Sequence, residues 1–185
     1  MKSQVKKVVI TLIGMVLSAN CFAQYKYAGQ WSVNAGGGWS HLHGYNIQVG
    51  ADKVFGTSSH ALGLKFFYQR YSDDIGYESK LKYDTYNLHV NYYYSFDRLI
   101  TSNVFFLNLG GGAVFGYEAL PTMITPTVML HNKSRFVVGL DVSAQLEVAL
   151  SKNITFFTDP RFVYLFNSDI KKGQFLLGAG IKVYL

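Results

Sequence analysis

The 185-residue sequence predicts an all-β protein: an eight-stranded, antiparallel, up-and-down transmembrane β-barrel of the outer-membrane type, following a cleaved signal peptide. Three observations carry this reading. First, every even position from Phe136 to Leu150 is apolar (Phe136, Val138, Leu140, Val142, Ala144, Leu146, Val148, Leu150), whereas the odd positions include Gly139, Asp141, Ser143, Gln145 and Glu147. Successive strand side chains point to opposite faces, so this stretch is a strand with one wholly apolar face. It is longer than the roughly 5–6 residues of an ordinary strand and suits the ~9–11 residues with which a tilted strand crosses a bilayer. A helix is excluded, because Asp141, Gln145 and Glu147 would interrupt any apolar stripe of helical period. Second, the two segments that follow repeat the same plan of apolar outside and small or polar inside, as outer-membrane barrels do. Third, the N-terminus reads as an export signal.

That signal has the usual parts. Lys2, Lys6 and Lys7 precede an uncharged apolar run, Val8–Leu17, and Cys21-Phe22-Ala23 is a small-x-small cleavage pattern before Gln24. The expected organisation is a signal peptide over 1–23 and one barrel domain over 24–185. The apolar run is shorter than the ~20 residues of a membrane-spanning helix. Lipidation at Cys21, the only cysteine, is not expected, because Ser18 and Asn20 stand where Leu and a small residue would be needed. Cleavage after Ala23 leaves no thiol, which excludes disulfide and cysteine chemistry. Without the three signal lysines the 17 basic residues fall to 14 against 11 acidic ones, a formal charge of +3. With no basic block in the chain, direct nucleic-acid binding is not expected.

The strands follow in order. The first, about Gln30–Trp39, places Trp31, Val33, Ala35, Gly37 and Trp39 on one face. The second, about Tyr45–Val54, sets Tyr45, Ile47, Val49 and Ala51 against Asn46, Gln48 and Gly50. The third, about Ala61–Tyr71, sets Leu62, Leu64, Phe66 and Tyr68 against Gly63, Lys65 and Gln69. The fourth, about Leu81–Tyr94, sets Tyr86, Leu88, Val90, Tyr92 and Tyr94 against Thr85, Asn87, His89 and Asn91. The fifth, about Asn103–Tyr117, faces outward with Phe105, Leu107, Leu109, Ala113, Phe115 and Tyr117. The sixth is Phe136–Leu150. The seventh, Ile154–Phe166, carries Asp159 and Arg161 inward, and the eighth, ending at Leu185, carries Gln174, Gly178, Gly180 and Lys182 inward. The turns Phe55–His60, Ser95–Ser102 and Ser151–Asn153 are then periplasmic, and the loops after the odd strands, including the long Glu118–Ser134, are extracellular. Closing eight strands removes the unpaired edges a membrane does not tolerate and leaves an interior filled by side chains.

The candidate sites sort against that frame. Gly36-Gly37-Gly38 and Gly110-Gly111-Gly112 lack the Lys-Ser/Thr and the strand-to-helix junction of a phosphate loop; they read as small residues that let strands bend. His41 and His43 have metal-ligand spacing but no third ligand nearby in sequence, so neither metal nor cofactor is expected. The sequons at Asn132 and Asn153 arise easily by chance. The notable constellation is an inward polar set: Lys65, Gln69, Asn87, His89, Asn91, Asp141, Gln145, Glu147, Asp159, Arg161 and Lys182. It reads as a hydrogen-bonded network that plugs a narrow barrel, in preference to an ion path or a catalytic site, and no enzymatic activity is expected. Tyr68, Tyr71, Tyr92, Tyr93, Tyr94 and Tyr117, near strand ends, are expected in interfacial aromatic girdles.

The run Tyr92-Tyr93-Tyr94-Ser95-Phe96, the block from Phe105 to Glu118 and the ending Leu177-Gly178-Ala179-Gly180-Ile181-Lys182 resemble the conjugal transfer protein TraO family of Bacteroides-type conjugative transposons. The resemblance covers most of the mature chain and is strongest from the fourth strand onward. It implies a part in the mating apparatus at the donor outer membrane of a Gram-negative bacterium, with outer-membrane lipid and other transfer proteins as partners. It supplies no active-site residues. The rival reading is a free-standing small barrel of the OmpX or OmpW kind that binds lipid, ligand or a host surface. A transfer-gene neighbourhood would separate the two.

Overall fold

A computed structural model of the chain describes residues 26–56, 59–74, 80–96, 104–120, 123–125, 128–129, 134–168 and 171–185. The segment 1–23, read above as a signal peptide, lies outside the described residues. Among the described residues there are ten strands: β1 (Trp31–Ser40), β2 (Gly44–Phe55), β3 (His60–Asp74), β4 (Lys80–Ser95), β5 (Phe105–Ala119), β6 (Met123–Thr125), β7 (Val128–Met129), β8 (Arg135–Ala149), β9 (Ile154–Leu165) and β10 (Gly173–Tyr184). Eight of them close an antiparallel barrel in the order β1-β10-β9-β8-β5-β4-β3-β2. The remaining two, β6 and β7, form a small hairpin of their own within the segment expected to be a plain loop.

Closure is made by β1 against β10, from Ser32↔Tyr184 to Ser40↔Leu176. Glycine allows the two strands to approach at Gly38, where an added Cβ would collide with the Leu177 carbonyl. Every other barrel connection joins sequential neighbours, so the chain winds up and down once around the wall. The start of β1, the end of β10 and the ends of β2, β4 and β8 lie at one end of the barrel, the turn end; the opposite end is the loop end. β3 runs past its expected end at Tyr71 to Asp74, which pairs with Lys80 at the start of β4.

The outside is apolar. Val33, Ile47, Leu64, Val90, Leu109, Leu140, Val142 and Phe162 are all exposed, from seven different strands. In a soluble protein such a belt would be an aggregation surface; on a closed barrel it is the lipid-facing band. The β8–β9 ladder is interrupted between Ser143↔Arg161 and Leu146↔Thr158. Pro160 lies in that gap and brings no N–H to the ladder. A shallow depression of about 470 Å³ lies over the gap, lined by apolar groups such as Val142, Ala144, Pro160 and Phe162.

Two tyrosines depart from the expected girdles. Tyr71 and Tyr93 are buried, at 0% and 3% exposure, because their odd positions put them on the inner face of their strands. Tyr68, Tyr92, Tyr94 and Tyr117 do lie outside, and ring contacts such as the tilted Tyr68–Tyr86 and the edge-on Tyr94–Phe96 tie these rings together. Glu118, expected to open the long loop, belongs instead to β5 and points inward, where Ser168 Oγ donates to its Oε1 at 2.7 Å.

Candidate functional site

Strand alternation that turns apolar groups to lipid turns their neighbours into the lumen. All eleven residues of the inward polar set are buried there. A buried charge is tolerated only when paired and hydrogen-bonded. The lumen meets that demand in three tiers.

The central tier is built around Arg161 on β9. The three-residue turn before β9 sets the register, placing Ser143 opposite Arg161 and Asp141 diagonal to it. The guanidinium contacts the Asp141 carboxylate and donates to Asp159 Oδ2 (3.0 Å), Asn91 Oδ1 (3.0 Å) and the Tyr93 hydroxyl (2.9 Å). Asn91 Nδ2 donates to Asp141 Oδ1 at 2.6 Å, and His89 Nδ1 lies 3.0 Å from Asp141 Oδ2. Lys65 Nζ donates to Asp159 Oδ2 at 3.0 Å and stands 5.0 Å from the centre of the Tyr93 ring. Phe67 closes the tier, with its ring centre 5.2 Å from the Arg161 guanidinium carbon and 4.5 Å from the centre of the His89 ring. Lys65 and Arg161 thus stand against Asp141 and Asp159.

At the loop end, Gln69 Oε1 accepts from Thr85 Oγ1 (3.1 Å) and Asn87 Nδ2 (3.3 Å), and the Tyr71 hydroxyl sits between Gln69 and Gln174. Leu42, Tyr71 and Tyr83 pack over this layer with Leu120 against them, an apolar lid built partly from the β1–β2 turn. Below it Val114, Val137, Val163, Leu165 and Leu176 form a dry patch inside the barrel.

The turn-end tier centres on Glu147 of β8. Its Oε1 accepts from Lys182 Nζ (2.7 Å) and Asn108 Nδ2 (2.8 Å), and its Oε2 accepts from the Tyr184 hydroxyl (2.8 Å) and Lys26 Nζ (3.0 Å). Lys182 also reaches Asp52 Oδ2 (2.9 Å) and Gln145 Oε1 (3.0 Å). A cavity of about 20 Å³ remains among these groups, room for about one water molecule.

Several of these residues were absent from the sequence reading. Asp52 and Tyr184 continue the inner faces of the second and eighth strands by two positions, and Asn108 lies on the inner face of the fifth, which alternation alone would have found. Phe67 and Tyr93 share the inward parity of Lys65 and Asn91, and their rings lie against the Arg161 and Lys65 cations. Lys26 precedes every strand, and nothing in its local sequence marks it. His41 is not gathered into a ligand set; its Nδ1 accepts from the Phe175 N–H at 3.0 Å. Among the described residues no group of three or more His, Cys, Asp or Glu is arranged to hold a metal ion. Asn153 of the second sequon uses its side-chain amide to cap the Tyr184 carbonyl at 3.0 Å.

Comparison with solved structures returns outer-membrane barrels. The outer membrane protein OprG of Pseudomonas aeruginosa matches with a TM-score of 0.61 at 9% identity, covering 89% of this chain and 99% of that one. Neisserial surface protein A matches with a TM-score of 0.55 at 18% identity, covering 83% and 94%. The N-terminal β-barrel domain of Pseudomonas aeruginosa OprF matches with a TM-score of 0.53 at 15% identity, covering 85% and 98%. At such identities the likeness is one of fold. No curated relative matches the sequence. The family model described as conjugative transposon protein TraO matches residues 37–185.

Proposed function

The chain belongs to the conjugative transposon protein TraO family, and from that membership we propose that it is an outer-membrane component of a conjugative DNA-transfer apparatus with a structural or docking role. The observation that carries the reading is the match of the family model to nearly the whole barrel, together with the state of the lumen. Charged, polar and apolar side chains fill the interior, the turn-end cavity has room for only about one water, and the loop end is lidded by Leu42, Tyr71 and Tyr83. A DNA strand has no way through such a barrel, so its part in transfer is to anchor other components. Among the described lumen residues no nucleophile is arranged with its base, which favours a non-catalytic role.

In this reading residues 1–23 are a signal peptide, the turn end faces the periplasm, and the lipid-facing band sits in the outer membrane of a Gram-negative cell. A transfer machine connects inward to its motor, so the turns at 55–60 and 95–102 are the favoured docking surface, since binding residues concentrate on loops held by a rigid scaffold. The test replaces each of these turns, and separately the 120–134 loop, with a Gly/Ser linker of equal length. Barrel insertion is confirmed by heat-modifiable gel mobility, and transconjugants are counted. Transfer lost on turn replacement and kept on loop replacement supports docking from the periplasm. Undiminished transfer from a donor lacking the whole gene overturns the conjugation role and leaves a free-standing barrel.

A further inference from the structure

The segment before β1 does more than lead into the barrel. Gly29 N–H donates to the Val54 carbonyl at 2.8 Å and Val54 N–H to the Gln30 carbonyl at 2.9 Å, so the strap is hydrogen-bonded across the turn end of β2. Gln30 N–H donates back to the Tyr27 carbonyl at 3.2 Å, and Gly29 takes φ +88°; together these turn the chain so that Lys26 enters the lumen. Its side chain is only 6% exposed there.

The ammonium has a built receptor. It lies 3.0 Å from Glu147 Oε2, donates to Asn108 Oδ1 at 3.2 Å and to Ser95 Oγ at 3.5 Å, and stands 4.6 Å from the centre of the Phe106 ring. A carboxylate, two neutral oxygens and an aromatic face are the groups that recognise a primary ammonium ion. The charges point the same way. Among the described residues the strands bring two carboxylates to this tier, Asp52 and Glu147, but one ammonium, Lys182, which is already shared between them at 2.9 and 2.7 Å. Asp52 keeps one buried oxygen, Oδ1, without a hydrogen-bond partner. The barrel wall alone therefore leaves this end one positive charge short.

We propose that the turn-end mouth of the barrel is a primary-ammonium binding site, occupied in the free protein by the chain's own Lys26, which acts as a stopper. The wall recognises the ammonium itself and makes no contact that requires it to be attached to residue 26. A small ammonium ion arriving from the turn end can therefore take the same place once Lys26 is removed.

Two measurements on the full mature chain test this. In Lys26→Met, which keeps the length of the side chain and removes its charge, the midpoint of heat modification is expected to fall. It is expected to recover in methylammonium chloride and not in tetramethylammonium chloride at equal ionic strength, because the larger ion cannot donate hydrogen bonds. An unchanged midpoint, an equal recovery in both salts, or no recovery in either overturns the proposal. The second measurement needs no variant. Brief amine acylation of the folded wild-type protein, read by mass spectrometry, is expected to modify exposed Lys53 and Lys152 at least tenfold faster than Lys26. Equal rates would place Lys26 outside the lumen and overturn the proposal.

Discussion

The centre of the lumen and its turn end hold matching sets of charges but assemble them differently. At the centre Lys65 and Arg161 face Asp141 and Asp159, and all four stand on the inner faces of β3, β8 and β9. At the turn end Asp52, Glu147 and Lys182 come from β2, β8 and β10, but the second cation, Lys26, comes from outside the sheet. The centre is sealed by Phe67 against Arg161 and by the apolar patch around Val163. The turn end keeps a cavity of about 20 Å³. Strand geometry alone completes a charge network where the wall surrounds it, and the strap before β1 completes it where the wall stops.

The largest effects are expected at the centre. Arg161→Met leaves Asp141 without a cation in a place water does not reach, which should cost about 3–5 kcal/mol. The double variant Asp141→Asn with Arg161→Met removes both charges and should be less destabilised than the single one, as judged by urea titration of the protein folded into lipid vesicles. Simple additivity of the two substitutions would mean that the pair is not coupled.

The same contrast of centre and end is expected on the outer wall. Val142 is 60% exposed at the middle of β8, and Phe136 is 79% exposed at its loop end. An arginine at Val142 lies at the hydrocarbon midplane and should cost about 2–4 kcal/mol, whereas at Phe136 it reaches the interface and should cost about 0–1 kcal/mol. Equal costs at the two positions, measured by the same titrations, would show that β8 does not cross the membrane as described.

How much of this was legible in sequence follows from the same contrast. The eight barrel strands and their outer faces were legible, because lipid imposes a strict period of two that Phe136–Leu150 displays without interruption. The central tier was legible for the complementary reason: Lys65, His89, Asn91, Asp141, Asp159 and Arg161 interrupt apolar runs at inward positions. Tyr71 and Tyr93 misled, since an aromatic near a strand end serves a girdle or a lumen equally well and only its parity decides. The β6–β7 hairpin was hidden because strands of three and two residues are too short to show a period. Lys26 was hidden because its role depends on a chain reversal at Gly29, set by contacts with β2 that lie about 25 residues away.

The smallest of these effects is expected at the turn end, and it sharpens the contrast most. Lys182→Met removes the ammonium shared by Asp52 and Glu147, but neither carboxylate is left bare. Glu147 keeps Lys26 at 3.0 Å, Asn108 and Tyr184, and Asp52 keeps the amide of Asn34 at 3.3 Å. The adjoining cavity also admits water to the vacated position. The cost falls mainly on Asp52, which loses its cation, and access of water from the cavity should hold it to about 1–3 kcal/mol, below that of Arg161→Met. Adding Lys26→Met should then cost more than the two single losses combined, because each ammonium covers for the other at Glu147. Urea titration of the two single variants and the double variant measures this coupling. If Lys182→Met proves as costly as Arg161→Met and the two lysines act additively, the turn end is as sealed as the centre, and the distinction between a wall-built network and a strap-completed one fails.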